Sequence, residues 1–429
     1  MMPTKSDHGM RDGWRVGWIL PRLMLAVMVM DVALHFVPLE KFAFRPNEAL
    51  QRLHGMPEGP FEPNREYHNA RSYGDLAALG NLPQRRLYRR VDFHTDAFGF
   101  HNPEATAGLV PAGILLGDSF AIGAEAPEEK TLSAQLTEVF SGPIYNVGGY
   151  LPFDLGRIRK LAGRLQMRRG LLIYEFLEVH AQEVPPTTVP ERLSWRRRLG
   201  LRWLGPKGWY LVTGFISSLE HSRLRLLAEK FERAMQNDVV LPNGFAKNVS
   251  QERLRNGDWM LFLSSLIEPV SSWNANAARW VDYFSWVSRE VSRGGLELVV
   301  LLVPNKSTVY GPLLDSARVH TEREDVLGEL ERRLRQRDIW VVNVSPSFRA
   351  AAIEMAEHHQ YIYWQDDIHW NECGVSYAVA ELRAQIGLRL PPGLVSEADH
   401  PAAGAEWRVA LAPDCQSQQK YAETSWSSR

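Results

Sequence analysis

The chain predicts an α/β fold with a mostly parallel sheet, on two observations. Short runs of Val, Ile and Leu alternate with helical patterns after residue 110 and again near the C-terminal end. Runs that are apolar throughout belong to strands covered on both faces, as in a parallel sheet between helices. The second observation is a junction, where Gly113-Ile114-Leu115-Leu116 runs directly into Gly117-Asp118-Ser119-Phe120. Strand, tight turn, small hydroxyl residue and helix place that hydroxyl at the C-terminal edge of the sheet, where open α/β folds bind ligands.

The elements follow in order. The first strand is expected at 114–116, then a helix at 128–140, a strand at 143–147, a helix at 154–166 and a strand at 170–176. After a long interruption come a strand at 296–303, a helix at 322–335, a strand at 339–344 and a closing helix at 375–386. Strands joined through helices cross over right-handedly and lie parallel. Gly117 lets the chain turn where a Cβ would clash. The helix after it leaves backbone N–H groups near Ser119, and such donors favour a developing oxyanion.

The remaining stretches fall outside this alternation. Residues 1–13 are a short polar tail. Residues 14–37 are largely apolar and long enough for one bilayer crossing, with Trp14 and Trp18 suited to an interface belt. No small-x-small cleavage site follows, so the segment reads as a retained anchor. Arg22 and Asp31 oppose this, at about 2.5–3.5 kcal/mol each at a membrane centre. Arg22 can snorkel from near one end. A buried or surface amphipathic helix is the alternative. Lys5, Arg11 and Arg15 before the segment balance Lys41, Arg45 and Arg52 after it, so charge does not set the orientation.

Residues 38–90 are rich in Pro, Gly and Asn and read as a linker into edge structure. Residues 91–181 hold the first part of the core, opening with an aromatic turn that packs on the sheet. Residues 182–276 are read as a helical insertion near the rim of the site, and residues 277–390 hold the second part of the core. The polar stretch 391–429 reads as a disordered tail. Within the insertion, Arg196-Arg197-Arg198 reads as a solvated surface, with contact to anionic lipid or an acidic polymer as the sharper alternative.

Composition narrows the function. The 429 residues include 45% hydrophobic and 23% charged, as in a globular protein with a real core. A net charge of -1 makes no electrostatic case for a nucleic-acid partner. Two cysteines, Cys373 and Cys415, do not make a disulfide framework, though they allow one pair. No His/Cys cluster has metal-ligand spacing, and His358 and His359 are adjacent rather than on one helix face. No phosphate-cradling glycine motif is present either, so no cofactor is expected.

A serine hydroxyl is a poor nucleophile at neutral pH and needs an adjacent base. The stretch Asp366-Asp367-Ile368-His369-Trp370-Asn371 offers one in His369, with two carboxylates beside it. The imidazole would take the Ser119 proton and return it to a leaving alcohol, while a carboxylate holds its tautomer. Asp366 and Asp367 compete for that last role.

Gly117-Asp118-Ser119 with a late Asp-x-(x)-His resembles the SGNH (GDSL-type) hydrolase superfamily, whose members are three-layer α/β/α sandwiches with a flavodoxin-like sheet and a Ser-His-Asp triad. The chain is closest to the membrane-anchored SGNH-like O-acetyltransferases of bacterial exopolysaccharide systems, alginate-type included. That likeness rests on Thr95-Asp96-Ala97-Phe98-Gly99-Phe100-His101-Asn102, Val303-Pro304-Asn305-Lys306-Ser307-Thr308-Val309-Tyr310 and His369-Trp370-Asn371, and spans roughly residues 45–387 with a poorly matched middle. The alginate enzymes place Asp-x-His before the serine; here the serine comes first, so chemistry is carried over and a specific substrate is not.

The resemblance implies more about the site. The Asp-x-His-Trp spacing favours Asp367 over Asp366. An oxyanion hole is expected from the Ser119 N–H and the turn Tyr145-Asn146-Val147-Gly148-Gly149-Tyr150, with Gly148 the best match and Asn146 beside it; a plain strand-to-helix turn accounts for these glycines as well. The family's usual Asn after the third strand is missing from Glu178-Val179-His180-Ala181, where His180 stands in its place. Losing such a donor typically costs about 10²–10³ in rate. Lys306 and Tyr310 either touch an acyl or sugar group or pack after the fourth strand. The implied activity is O-acetylation of an extracellular polysaccharide through an acyl-serine, in partnership with a membrane acyl donor. Hydrolysis of acetylated sugars, or a catalytically weakened polysaccharide-binding scaffold, are the alternatives. The implied location is the bacterial inner membrane, with a cytoplasmic tail, one crossing and the body facing the periplasm or exterior.

Overall fold

The computed structural model describes residues 10–51, 59–140, 142–149, 154–186, 222–235, 248–267, 273–315 and 325–386. Ahead of the main sheet, β1 (Arg65–Ser72) and β2 (Arg89–Thr95) pair as an antiparallel hairpin. The central sheet begins with β3 (Gly113–Leu116), β4 (Ile144–Asn146) and β5 (Gly170–Leu177). A second antiparallel hairpin, β6 (Val249–Arg253) and β7 (Trp259–Leu263), precedes the last two strands, β8 (Leu296–Val303) and β9 (Trp340–Asn343).

The five central strands lie in the order β4-β3-β5-β8-β9, and every pair is parallel. The expected sheet is therefore present. Side chains alternate between its faces, and both faces are buried. On one side Leu171, Ile173, Val299, Leu301 and Val342 meet the helices Leu132–Val139, Ser345–Ala356 and Glu372–Ile386. On the other, Leu172, Tyr174, Phe176, Val300 and Val341 meet Leu155–Arg164, Trp273–Ser292 and Val326–Arg335. This is the three-layer α/β/α arrangement, and it explains why the strands are apolar on both faces.

The chain leaves β3 for β4 on one side and then returns past β3 to β5 on the other. The sheet order thus reverses at β3, and the crevice outside its C-terminal end is the topological switch point. Ser119 begins the short helix Ser119–Ile122 at that place.

Three expectations need correction. First, the crossing expected over 14–37 is not supported. A helix does run from Met10 to Leu34, but no helix among the described residues is long and apolar enough to cross a membrane. Pro21, Arg22 and Asp31 interrupt the apolar run, and Asp31 Oδ1 accepts hydrogen bonds from Ser222 Oγ at 2.7 Å and Leu224 N at 3.0 Å. Second, the stretch 38–90, expected as a linker into edge structure, is structured over much of its length. It builds β1 and the start of β2, and Tyr67, Val91 and Phe93 are buried in a small core with Phe42, Leu50 and Phe61. Third, the described part of the insertion is not all helical, because β6 and β7 lie in it and Met260, Leu261 and Phe262 are buried. The Arg196–Arg198 cluster, Tyr150, Cys415 and the tail after 386 lie outside the described residues.

Candidate active site

The nucleophile turn is made rigid by its own side chains. A Cβ on Gly117 would lie 2.4 Å from Glu175 Oε2 and 2.8 Å from Ala121 Cβ, so only glycine fits between β5 and the helix. Asp118 caps that helix, with Oδ1 accepting from Phe120 N at 2.8 Å. Its own N–H donates to Glu175 Oε2 at 3.0 Å. Burial and the Asp118 charge push Glu175 well above the ordinary carboxylate range.

His369 reaches this turn from the loop before the last helix. Its Nε2 lies 2.8 Å from Ser119 Oγ, and its Nδ1 lies 2.6 Å from Asp367 Oδ1. Phe120 packs 4.8 Å from the imidazole, ring centre to ring centre, and holds its plane. Of the two competing carboxylates, then, Asp367 faces the imidazole. Asp366 turns the other way: its Oδ2 accepts from Gly74 N at 2.7 Å and Leu87 N at 2.9 Å, and its Oδ1 from Arg89 Nη1 at 2.8 Å.

Arg89 joins the two aspartates. Its Nη2 donates to Asp367 Oδ2 at 2.8 Å, and Asp75 N donates to the same oxygen at 2.9 Å. The guanidinium lies over Trp364, 4.3 Å from the ring centre. Burial works against ionising Asp367, but His369 and Arg89 together hold its carboxyl well below its ordinary value. Sequence reasoning missed Arg89, Gly74 and Asp75, because they sit in the segment read as a linker. One arginine among many on a short strand carries no local signal of what it meets nearly 280 residues later.

Burial alone would lower His369. The carboxylates of Glu125 and Asp367 outweigh it and raise the imidazole to about 10. Glu125 Oε2 stands 3.8 Å from His369 Nδ1, and Asp75 is itself raised to about 7 by burial and the Asp367 charge. Asp75, Asp367 and His369 bring ligand-type atoms within 4.8 Å of one another. Those of Asp367 are already taken by Arg89, Asp75 N and His369, so the group reads as a charge network around the imidazole.

The other residues singled out in the sequence are placed differently. Gly148 N donates to Asn146 Oδ1 at 2.7 Å, and Asn146 Nδ2 donates to Ala121 O at 2.8 Å. The pair therefore braces the back of the Ser119 helix, and the Gly148 N–H is engaged. His180 Nε2 lies 2.9 Å from Asp118 Oδ2, and its Nδ1 3.3 Å from Glu183 Oε2. With a carboxylate at each nitrogen, the imidazole is raised despite burial and holds the turn through Asp118. Lys306 and Tyr310 are both buried. Lys306 Nζ donates to four backbone carbonyls, those of Leu261, Trp364, Gln365 and Asp367, at 2.6–3.1 Å. Tyr310 Oη accepts from Ile362 N at 2.9 Å. Both pin the loop that carries Asp367 and His369.

A narrow cleft opens beside Ser119 and His369, walled by Phe120, Ala126, Leu132, Trp370 and Val375 and including Glu125. The arrangement can lower the barrier to proton removal from a serine hydroxyl and steady the cation that results.

No curated protein matches the chain. Residues 256–412 match a family described as the SGNH hydrolase-like domain of the acetyltransferase AlgX, a match that includes Asp367 and His369 and begins well after Ser119. The second part of the core is thus similar to that SGNH hydrolase-like domain, the kind of domain that the sequence motifs resemble.

Proposed function

We propose that this protein is a serine-dependent O-acyltransferase that acetylates a polysaccharide through an acyl-serine. Ser119 is the nucleophile, His369 the general base and acid, and Asp367 the carboxylate that fixes the imidazole. The observation that carries this reading is the unbroken run of hydrogen bonds from Ser119 Oγ through His369 to Asp367, at 2.8 and 2.6 Å. Ser119 attacks the donor ester, and its proton passes to His369 Nε2 and on to the leaving group. The acyl-serine is then opened by a sugar hydroxyl, or by water in the esterase alternative. The engagement of Gly148 N and His180 elsewhere favours a second reading, a weakened scaffold with few oxyanion donors. An acyl-donor protein would supply the first step. A site outside the cytoplasm is the location that the resemblance implies.

The test is mass spectrometry of the protein after incubation with a chromogenic acetyl ester. An acetyl adduct on Ser119, missing in Ser119→Ala, is the expected result. Equal ester turnover by the two proteins would remove the catalytic reading and leave the scaffold. Release of the acetyl group to water or to added oligosaccharide separates esterase from transferase.

The pH profile is a further expected result. Neutral imidazole is the form that accepts the proton, and its share grows as pH rises through the His369 value. With His369 raised to about 10, kcat/KM for a small ester should climb across the neutral range to an apparent pKa well above the ordinary 6.5. A profile already level at about pH 7 would show that the surrounding carboxyls do not charge the imidazole.

A further inference from the structure

Glu125 is a buried carboxyl that the acyl-serine chemistry leaves unused. Only 5% of it is exposed, and its Oε1 has no hydrogen-bond partner. It lines the cleft that Ser119 and His369 also line. The two other polar side chains of that cleft, outside the proposed triad, are already engaged. Thr131 Oγ1 donates to Glu128 O at 3.0 Å, while Asn371 donates to Tyr361 O at 2.7 Å and accepts from Gly374 N at 3.1 Å. The remaining wall is apolar. A buried polar atom without a partner costs free energy unless something arrives to meet it.

Its position says what would arrive. Glu125 Oε2 lies 3.8 Å from His369 Nδ1, so the carboxyl stands beside the imidazole in the cleft. An alcohol that gives its proton to Nε2 enters this same cleft, because Ser119 and His369 line it together with Glu125. We propose that Glu125 is a specificity-determining residue for the acceptor, binding a second hydroxyl next to the one that is acylated, and so selecting vicinal diols such as sugars over water and simple alcohols. This rests on the acyl-serine reading above. In the transfer, the bond between the acyl carbon and Ser119 Oγ breaks and a bond to the acceptor oxygen forms. The acceptor's proton passes through His369 Nε2 to Ser119 Oγ. Glu125 touches only the neighbouring hydroxyl, which can both donate and accept, and so meets the carboxyl in either protonation state.

The experiment uses the whole protein, a chromogenic acetyl ester as donor, and equal concentrations of propane-1,2-diol and propan-1-ol as competing acceptors. The ratio of the two acetylated products is read from one acyl-enzyme population, so a general loss of rate does not move it. The expected ratio favours the diol by about tenfold, what one buried hydrogen bond supplies. Glu125→Leu should bring the ratio to within about twofold of unity, and Glu125→Gln, which keeps a donor and an acceptor, should retain most of it. A wild-type protein without preference overturns the proposal, as does a leucine variant with the wild-type ratio. Should the leucine variant fail to fold, the wild-type ratio and the glutamine variant still decide. If no acetyl adduct forms on Ser119 at all, the acyl-serine reading falls and takes this proposal with it, an outcome distinct from transfer without preference.

Discussion

Asp367→Asn should lower kcat by about four orders of magnitude, while Asp366→Asn lowers it far less and acts mainly on stability. The reason lies in the hydrogen-bond donors around Asp367. One carboxylate oxygen accepts from His369 N and Nδ1, and the other from Asp75 N and Arg89 Nη2. An amide has only one acceptor oxygen. If that oxygen faces His369, the amide NH2 points at the guanidinium and the Asp75 N–H, donor against donor. The favoured flip puts the oxygen on Arg89 and the NH2 toward Nδ1. Nδ1 must then be the acceptor, and the ring proton moves to Nε2, where it blocks removal of the Ser119 proton. Asp366 has no contact with the imidazole; its oxygens meet Gly74 N, Leu87 N and Arg89. Steady-state kinetics on a chromogenic ester, with urea melts of both variants, separates the two effects. Equal losses of kcat in the two variants would return the choice of carboxylate to where the sequence left it.

That choice shows what the sequence makes legible. The five parallel strands are continuous apolar runs, so burial on both faces writes them directly into the chain, and the observed strands lie within a residue or two of the expected ones. Gly117-Asp118-Ser119 and Asp367-x-His369 are legible because each is local and the chemistry fixes the spacing. What holds them is not local. Arg89 is separated from Asp366 by 277 residues and from Asp367 by 278, and no periodicity records that contact. The hairpin β1–β2 is hard to see because one of its faces is exposed, which leaves a polar composition that reads as linker. Lys306 shows the opposite error. A lysine after a strand suggests a group that meets substrate, yet four carbonyls surround it, and backbone acceptors are invisible in a sequence. Gly148 and His180 were singled out by alignment with a motif, and their donors turn out to be spent on Asn146, Asp118 and Glu183.

Arg89→Met should destabilise the protein by about 3–5 kcal/mol, among the largest effects a single substitution gives. Arg89 has a side-chain exposure of 4%, and both aspartates it binds have 0%. Methionine fills much of the same space over Trp364, so lost packing contributes little, and the effect is that of the charges left behind. Asp366 keeps two backbone donors and Asp367 keeps Asp75 N and His369, but two adjacent buried carboxylates then repel each other with no cation between them. One of them must take up a proton or pull toward water. Either route disturbs the loop that carries His369, so kcat should fall together with stability. Arg89→Lys tests whether charge alone suffices. An ammonium is a single point and cannot span two carboxylates as the guanidinium fork does, so it should recover only part of the loss. Urea denaturation with an unchanged slope and a lower midpoint would locate the effect in the native state. A loss below about 1 kcal/mol would mean that water reaches the pair, since only solvated ion pairs are that weak. The arginine comes from the hairpin and the aspartates from the far end of the chain. Its charge is therefore what ties the first hundred residues to the chemistry, and a protein cut between hairpin and sheet should lose Ser119 reactivity even though every residue of the proposed triad remains.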